Sequence, residues 1–252
     1  MLYPKSFAAV FTRVKNEKYM FPLWLRYYSR YFAGRDMYVL DNDTTDGSLD
    51  DGGFQRIIMS HKSAWDDPWM TRMVCKCQRE LLRNYRYVIY TDVDEFIVPD
   101  PRKYRDLIHY IQLFQKDCVQ CMAYTVAHDF DNEPPLDFNK PVLSQRSRWA
   151  YMGAGWGKTS LARIPLDWSV GQHDCVQNKH RDIDNDLYLV HLSMLDVPMC
   201  QQRRIDRSVG FQIGHLSGRH VLDTDVESIH GHERHLLKCS TKIPEFMRAV
   251  VI

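Results

Sequence analysis

The sequence lacks any apolar run near 18 residues, so no segment reads as a membrane-spanning helix. It also lacks net charge. Against 32 acidic residues stand 33 basic ones, and a formal +1 gives no global reason to bind nucleic acid or an anionic bilayer. Internal repeats, low-complexity tracts and long linkers are missing. The seven cysteines form an odd set without metal-knuckle spacing, which argues against a disulfide scaffold and for free thiols in a reducing cytoplasm. Residues 1–10 lack a secretory pattern and run straight into a strand-like segment, so the expected location is cytoplasmic or at the membrane periphery. What is present is a chain of 252 residues, 44% hydrophobic, long enough to bury a sizeable core.

The most informative stretch is residues 87–98, Tyr-Val-Ile-Tyr-Thr-Asp-Val-Asp-Glu-Phe-Ile-Val. Its first half is a β-branched and aromatic run, the pattern of a strand buried on both faces. Asp92 and Asp94 follow, then Glu95. Residues two apart on an extended strand point the same way, roughly 6.5 Å apart. Two partly dehydrated carboxylates aimed one way need a cation, and a divalent ion with oxygen ligands is the simplest. The plainer alternative is an Asp-rich turn after a strand.

Strands are expected over residues 6–12, 37–40 and 54–59, with helices over 19–32 and 68–83. Asp66 or Asp67 is the expected cap of the second helix, and Gly34 the stop of the first. Arg26 and Arg30 lie among the aromatics of the first helix, which is expected to pack on the sheet rather than lie on a membrane. Strand, helix, strand, strand, helix, strand implies parallel pairing with right-handed crossovers. Ligands of such sheets gather beyond the carboxyl ends of the strands. Arg13 to Glu17, Asp41 to Ser48 and Asp92 to Glu95 all follow an apolar strand, so they are expected to converge on one crevice.

Three motifs in this order, Arg13-Val-Lys-Asn-Glu17, Val39-Leu-Asp-Asn-Asp-Thr-Thr-Asp-Gly-Ser48 and Asp92-Val-Asp-Glu-Phe96, resemble the nucleotide-sugar-binding half of GT-A glycosyltransferases, near the family 2-like group. The resemblance covers about the first hundred residues well. It implies an α/β fold, with a GT-A-like (Rossmann-like), mostly parallel central sheet flanked by helices. The expected division is a single domain with a nucleotide-sugar-binding half over 1–100, an acceptor-binding and catalytic half over 101–200, and a C-terminal helical extension over 201–252. It implies that Asp41 contacts the nucleobase or ribose, Asp46 supports that loop, Asp92 lies toward ribose and metal, and Asp94 is the chief ligand of Mn²⁺ or Mg²⁺. Arg13, Asn16, Glu17 and Asp43 complete the implied donor cradle. Where the family usually has Asp-Gly, this chain has Asn42-Asp43, a departure that leaves the donor base and sugar open. The implied activity is metal-dependent transfer from a nucleoside diphosphate sugar, UDP-linked first, to a glycan or lipid-linked acceptor hydroxyl, with inversion. The rival readings are a sugar nucleotidyltransferase and a non-catalytic carbohydrate-binding protein. The first normally carries a Gly-rich, Arg-containing loop after its first strand, and residues 13–17 contain no Gly. The second has no need of Asp92 and Asp94.

Downstream, a helix is expected over 102–116 and strands over 119–127, 158–164 and 186–190. Gln145 to Trp149 matches the Gln-X-X-Arg-Trp pattern of processive family 2 enzymes, read here as coincidence because membrane helices are missing. Trp149 to Gly157 is rich in aromatics and glycine, so Trp149 and Trp156 are candidate sugar-stacking faces beside His173, and Lys158 is placed to reach a phosphate. By resemblance, His191 at the exit of a strand completes the metal shell, with His173 in reserve. An inverting reaction also needs a carboxylate base, for which Asp174 and then Asp129 are the candidates. His220, His230, His232 and His235 lack zinc-protease spacing and read as solvated helix faces. Residues 243–252 read as a packing helix or a contact with a partner or membrane periphery.

Overall fold

The computed structural model describes residues 6–59, 67–209 and 224–252. His220 and Asp66 lie outside them. The chain runs β1 (Ser6–Val14), α1 (Met20–Tyr28), β2 (Met37–Asp41), β3 (Gln55–Ile58), α2 (Asp67–Asn84), β4 (Tyr85–Tyr90), β5 (Glu95–Pro99), α3 (Leu107–Leu113), β6 (Cys118–Ala127), β7 (Arg148–Tyr151), β8 (Thr159–Ala162), β9 (Ile183–His191), α4 (Val197–Val209), α5 (Val226–Cys239), β10 (Thr241–Lys242) and α6 (Glu245–Arg248). This is the expected α/β architecture, a central sheet flanked by helices.

The strands β3, β2, β1 and β4 pair in parallel, in that spatial order. Antiparallel β8 joins β4 to β6, and β6 continues through β7 to β10. β9 lies parallel to β6 on one side and antiparallel to β5 on the other. The β4–β8 pairing makes the sheet continuous from the first hundred residues into the second.

Alternation explains the layering. Val10, Tyr87 and Ile89 point into a core with Trp24, Tyr27 and Tyr28 of α1, while Phe11, Val88 and Tyr90 point into another with Val74 and Leu81 of α2. Strands apolar on both faces are what a sheet covered on both sides requires. The exposed Arg26 donates to the carbonyls of Phe138 and Ile252, which ties α1 to the segments that carry them. Gly34 is not the stop of α1, which ends five residues earlier at its cap Ser29. Its own need for glycine is steric, because a Cβ there would stand 2.5 Å from the Gly53 carbonyl oxygen.

The C-terminal segment is not simply a helical extension. β10 adds an edge strand beside β7, and Ile243, Met247 and Ile252 are buried in the main core. On α5, His232 and His235 are exposed and His230 stacks on Phe130 at 4.5 Å. Within the Gln145 to Trp149 stretch, Arg146 and Trp149 are both buried. The fully buried Arg146 donates to Asp196 Oδ2 at 3.0 Å and to the Leu195 carbonyl at 2.6 Å.

α5 also buries Glu233 completely, with its Oε1 accepting from the His128 amide and its Oε2 without a partner among the described residues. Burial, outweighing the His128 amide and Arg146, pushes its pKa up to about 8. The folded state therefore holds a proton that the unfolded chain releases near the usual carboxyl range. Stability from this group is full at low pH and is lost as pH rises toward 8. Glu233→Gln is expected to flatten that slope, within about 1 kcal/mol of wild type at pH 5 and more stable by up to a few kcal/mol at pH 9. Urea unfolding at the two pH values measures it, and parallel curves for the two proteins contradict it.

Candidate active site

The three polar exits meet at one edge of the parallel strands. Register puts Val14 beside Asp41 and Phe11 beside Tyr90, so residues 13–17, 41–48 and 92–95 leave the sheet together. Side chains then knit the loops. The Thr45 amide donates to Asn16 Oδ1 at 2.8 Å, the Lys18 amide to Asp46 Oδ2 at 3.1 Å, and Lys15 Nζ to the Asp43 carbonyl. Asn16 and Asp43 hold left-handed backbone at φ 52° and 55°, a conformation non-glycine residues keep only where surroundings enforce it. Asp41 is buried, and its carboxylate accepts from Arg56 at 2.7 Å and from the Thr44 amide at 2.8 Å.

Asp92 and Asp94 diverge in their partners. Asp92 accepts from Tyr90 Oη at 2.7 Å, from Arg13 Nε at 3.4 Å, and from Lys158 Nζ, which also lies 2.9 Å from Glu95 Oε1. Burial alone would raise the Asp92 pKa, but Lys158 and Arg13 outweigh it and hold the carboxyl well below the usual range. The same burial pushes Glu95 up. Lys158, placed from sequence near a phosphate, is thus a buried cation between two carboxylates.

Asp94 offers one oxygen to Arg203 Nη2 at 2.9 Å, and Arg203 also donates to both oxygens of Glu17, at 3.0 and 3.1 Å. Arg207 adds a bond to Glu17 Oε1 at 2.9 Å. Burial would raise Asp94 too, yet Arg203, His191 and Arg207 lower its pKa strongly. The other oxygen, Oδ1, faces His191 Nε2 at 3.7 Å. Strand pairing causes this approach, since Glu95 on β5 and Thr125 on β6 are both register partners of His191. Thr125 Oγ1 lies 3.5 Å from His191 Nδ1 and orients the ring.

Asp94 Oδ1 and His191 Nε2, 3.7 Å apart, would subtend about 120° at an ion about 2.1 Å from each, between the cis and trans angles of an octahedral ion, so they would hold Mn²⁺ or Mg²⁺ only after closing by about half an ångström. The expected triad of Asp92, Asp94 and His191 is not assembled, because Asp92 spends both oxygens on Tyr90, Arg13 and Lys158. Among the described residues no three His, Cys, Asp or Glu side chains gather as a metal shell.

Other expected residues fall differently. Trp149 is buried and stacked on Tyr124 at 4.1 Å, so its face is closed to an acceptor. Trp156 is half exposed, edge-on to His173 at 5.2 Å. Asp174 is exposed and paired with Arg181 at 2.8 Å, and Asp129 accepts from Asn132 within its own loop at 3.0 Å. Neither carboxylate joins the cluster around Asp94. Sequence reasoning missed Arg203 and Arg207, whose signal is a spacing of four, one face of a helix.

No protein-family model matches the sequence, and no curated protein matches it. Among solved structures, the chain is similar to a mannosyltransferase, PcManGT from Pyrobaculum calidifontis in complex with GDP-Man and Mn2+, at a TM-score of 0.42 and 13% identity over 94% of this chain and 73% of that one. It is similar also to a mannose-1-phosphate geranyltransferase from Thermus thermophilus, at 0.31 and 6% over 91% and 68%. Likeness of this degree bears on neither activity nor substrate.

Proposed function

We propose that the chain is a metal-assisted glycosyltransferase that moves a sugar from a nucleoside diphosphate donor, UDP-linked first, to a hydroxyl of a glycan or lipid-linked acceptor. The observation that carries it is the pair of Asp94 Oδ1 and His191 Nε2, which face each other at 3.7 Å at the carboxyl edge of parallel strands. Charge supports it as well. Glu17, Asp92, Asp94 and Glu95 are offset by Arg13, Lys158, Arg203 and Arg207. A balanced site has little excess attraction for a bare diphosphate, but a diphosphate neutralised by a divalent ion enters without upsetting the balance.

The chain's own groups have separable tasks. Asp94 and His191 would hold Mn²⁺ or Mg²⁺, which when bound offsets charge on the departing diphosphate. Arg203 and Arg207 fix Glu17 and one oxygen of Asp94, leaving the other oxygen aimed at His191. The loops of Asn16, Asp43 and Asp46 would cradle the nucleoside, with Asp41 held by Arg56 as their base. The half-exposed Trp156 would offer its face to an acceptor sugar.

His191→Ala is expected to weaken Mn²⁺ binding, measured by calorimetry in the presence of UDP, by about tenfold or more, while Thr125→Val shows a smaller loss because it only orients the ring. Identical titrations for wild type and His191→Ala would remove the metal pair from this reading.

A further inference from the structure

His173 stands beside the charged cluster without being tied into it. Its Nδ1 is 3.2 Å from the Trp156 carbonyl oxygen. A carbonyl only accepts, so Nδ1 carries the proton and Nε2 the lone pair. Nε2 has no hydrogen-bond partner among the described residues. The ring is within electrostatic reach of Lys158, Asp92 and His191. Burial first, and Lys158 second, lower its pKa to about 4, so the imidazole is neutral at physiological pH.

The backbone that aims the ring is held in an unusual conformation. Gly171 and Gln172 are consecutive left-handed residues, at φ 83° and 60°. At Gln172, where a side chain is present, this costs on the order of 1–3 kcal/mol. The cost is met by fixed contacts, since Gln172 is buried, donates through Nε2 to Thr71 Oγ1 at 2.9 Å, and bonds through its amide to the Ser169 carbonyl at 2.9 Å. A Cβ on Gly171 would approach His173 Cδ2 to 3.3 Å, so the loop fits closely around the ring. The half-exposed Trp156 ring lies at a steep angle to it, centroids 5.2 Å apart.

We propose that His173 is the general base that accepts the proton of the incoming sugar hydroxyl, an assignment that rests on the transferase reading above. As the hydroxyl oxygen bonds to the anomeric carbon, its proton passes to Nε2. The bond from that carbon to the β-phosphate oxygen breaks, and its electron pair leaves with the nucleoside diphosphate. The imidazolium then returns the proton to solvent. Phosphates of a bound donor offset the Lys158 charge and so raise the basicity of Nε2 in the complex. Asp174 does not compete, because Arg181 holds it in the exposed part of the same loop.

The test uses the full chain, a panel of UDP- and GDP-hexoses with Mn²⁺, and water as acceptor, reading release of the nucleoside diphosphate. His173→Ala is expected to lower kcat by about 10²–10⁴-fold, with KM for the donor within about twofold. Added imidazole should restore part of the rate to His173→Ala and none to His173→Gln, whose amide fills the space. A drop in rate that imidazole does not restore, or full activity in either variant, overturns the base. If His173→Ala fails to fold, the split between kcat and KM in His173→Gln decides alone. Should wild type bind neither UDP nor GDP with Mn²⁺, the transferase reading itself falls and takes the base with it, an outcome distinct from normal binding with an active variant.

Discussion

Asp94→Ala is expected to leave the protein folded and to cut nucleotide-sugar turnover by at least about a thousandfold, the rate equivalent of several kcal/mol of charge stabilisation. Folding survives because Arg203, the buried partner of Asp94, keeps both oxygens of Glu17. No uncompensated guanidinium is left behind. Turnover fails because the carboxylate oxygen that faces His191 is removed with the side chain. Asp92 cannot replace it, since Lys158, Arg13 and Tyr90 already use both of its oxygens. Asp94→Asn separates charge from shape, keeping an oxygen at the position with no negative charge, and is expected to retain only slight activity. Release of nucleoside diphosphate with Mn²⁺ and with EDTA measures both variants. Wild-type rates from Asp94→Ala, or equal wild-type rates in EDTA, would refute the metal-assisted mechanism.

The parallel half of the fold is legible in the sequence because its strands are short, apolar and followed at once by polar loops. Val10 and Phe11, adjacent in sequence, go to opposite cores, as period two demands. The meeting of residues 13–17, 41–48 and 92–95 follows from the same pattern once parallel pairing is accepted. What the sequence hides is lateral. Glu95 and His191 are register partners far apart in the chain, and no local periodicity encodes that pairing. Local reading also assigns charge without its partner. Asp92 and Asp94 look equivalent as an Asp-X-Asp pair, yet one is bonded on both oxygens by Lys158, Arg13 and Tyr90 while the other gives one oxygen to Arg203 and turns the second toward His191. A Trp beside glycines reads alike whether buried like Trp149 or open like Trp156, because burial depends on whether Tyr124 of β6 lies across the ring.

Lys158 is the residue whose loss should unfold the site most. Its ammonium is almost wholly buried and is the only cation within salt-bridge distance of Glu95 among the described residues, while also serving Asp92. Burial alone would lower its pKa, but the two carboxylates outweigh that and raise it, so the charge is held firmly. Removing one member of a buried ion pair typically costs about 3–5 kcal/mol, because the remaining charge keeps its desolvation penalty without the attraction. For a chain of this size, Lys158→Ala should lower the melting temperature by roughly 6–20 °C. Arg13 and Tyr90 still support Asp92, so Glu95 is the orphan. Adding Glu95→Gln to Lys158→Ala should therefore recover part of the loss, and a double-mutant cycle built on Lys158→Ala and Glu95→Gln reads that coupling directly. Additive effects, or a single variant that melts with wild type, would show that Lys158 is not the cation on which this carboxylate cluster depends.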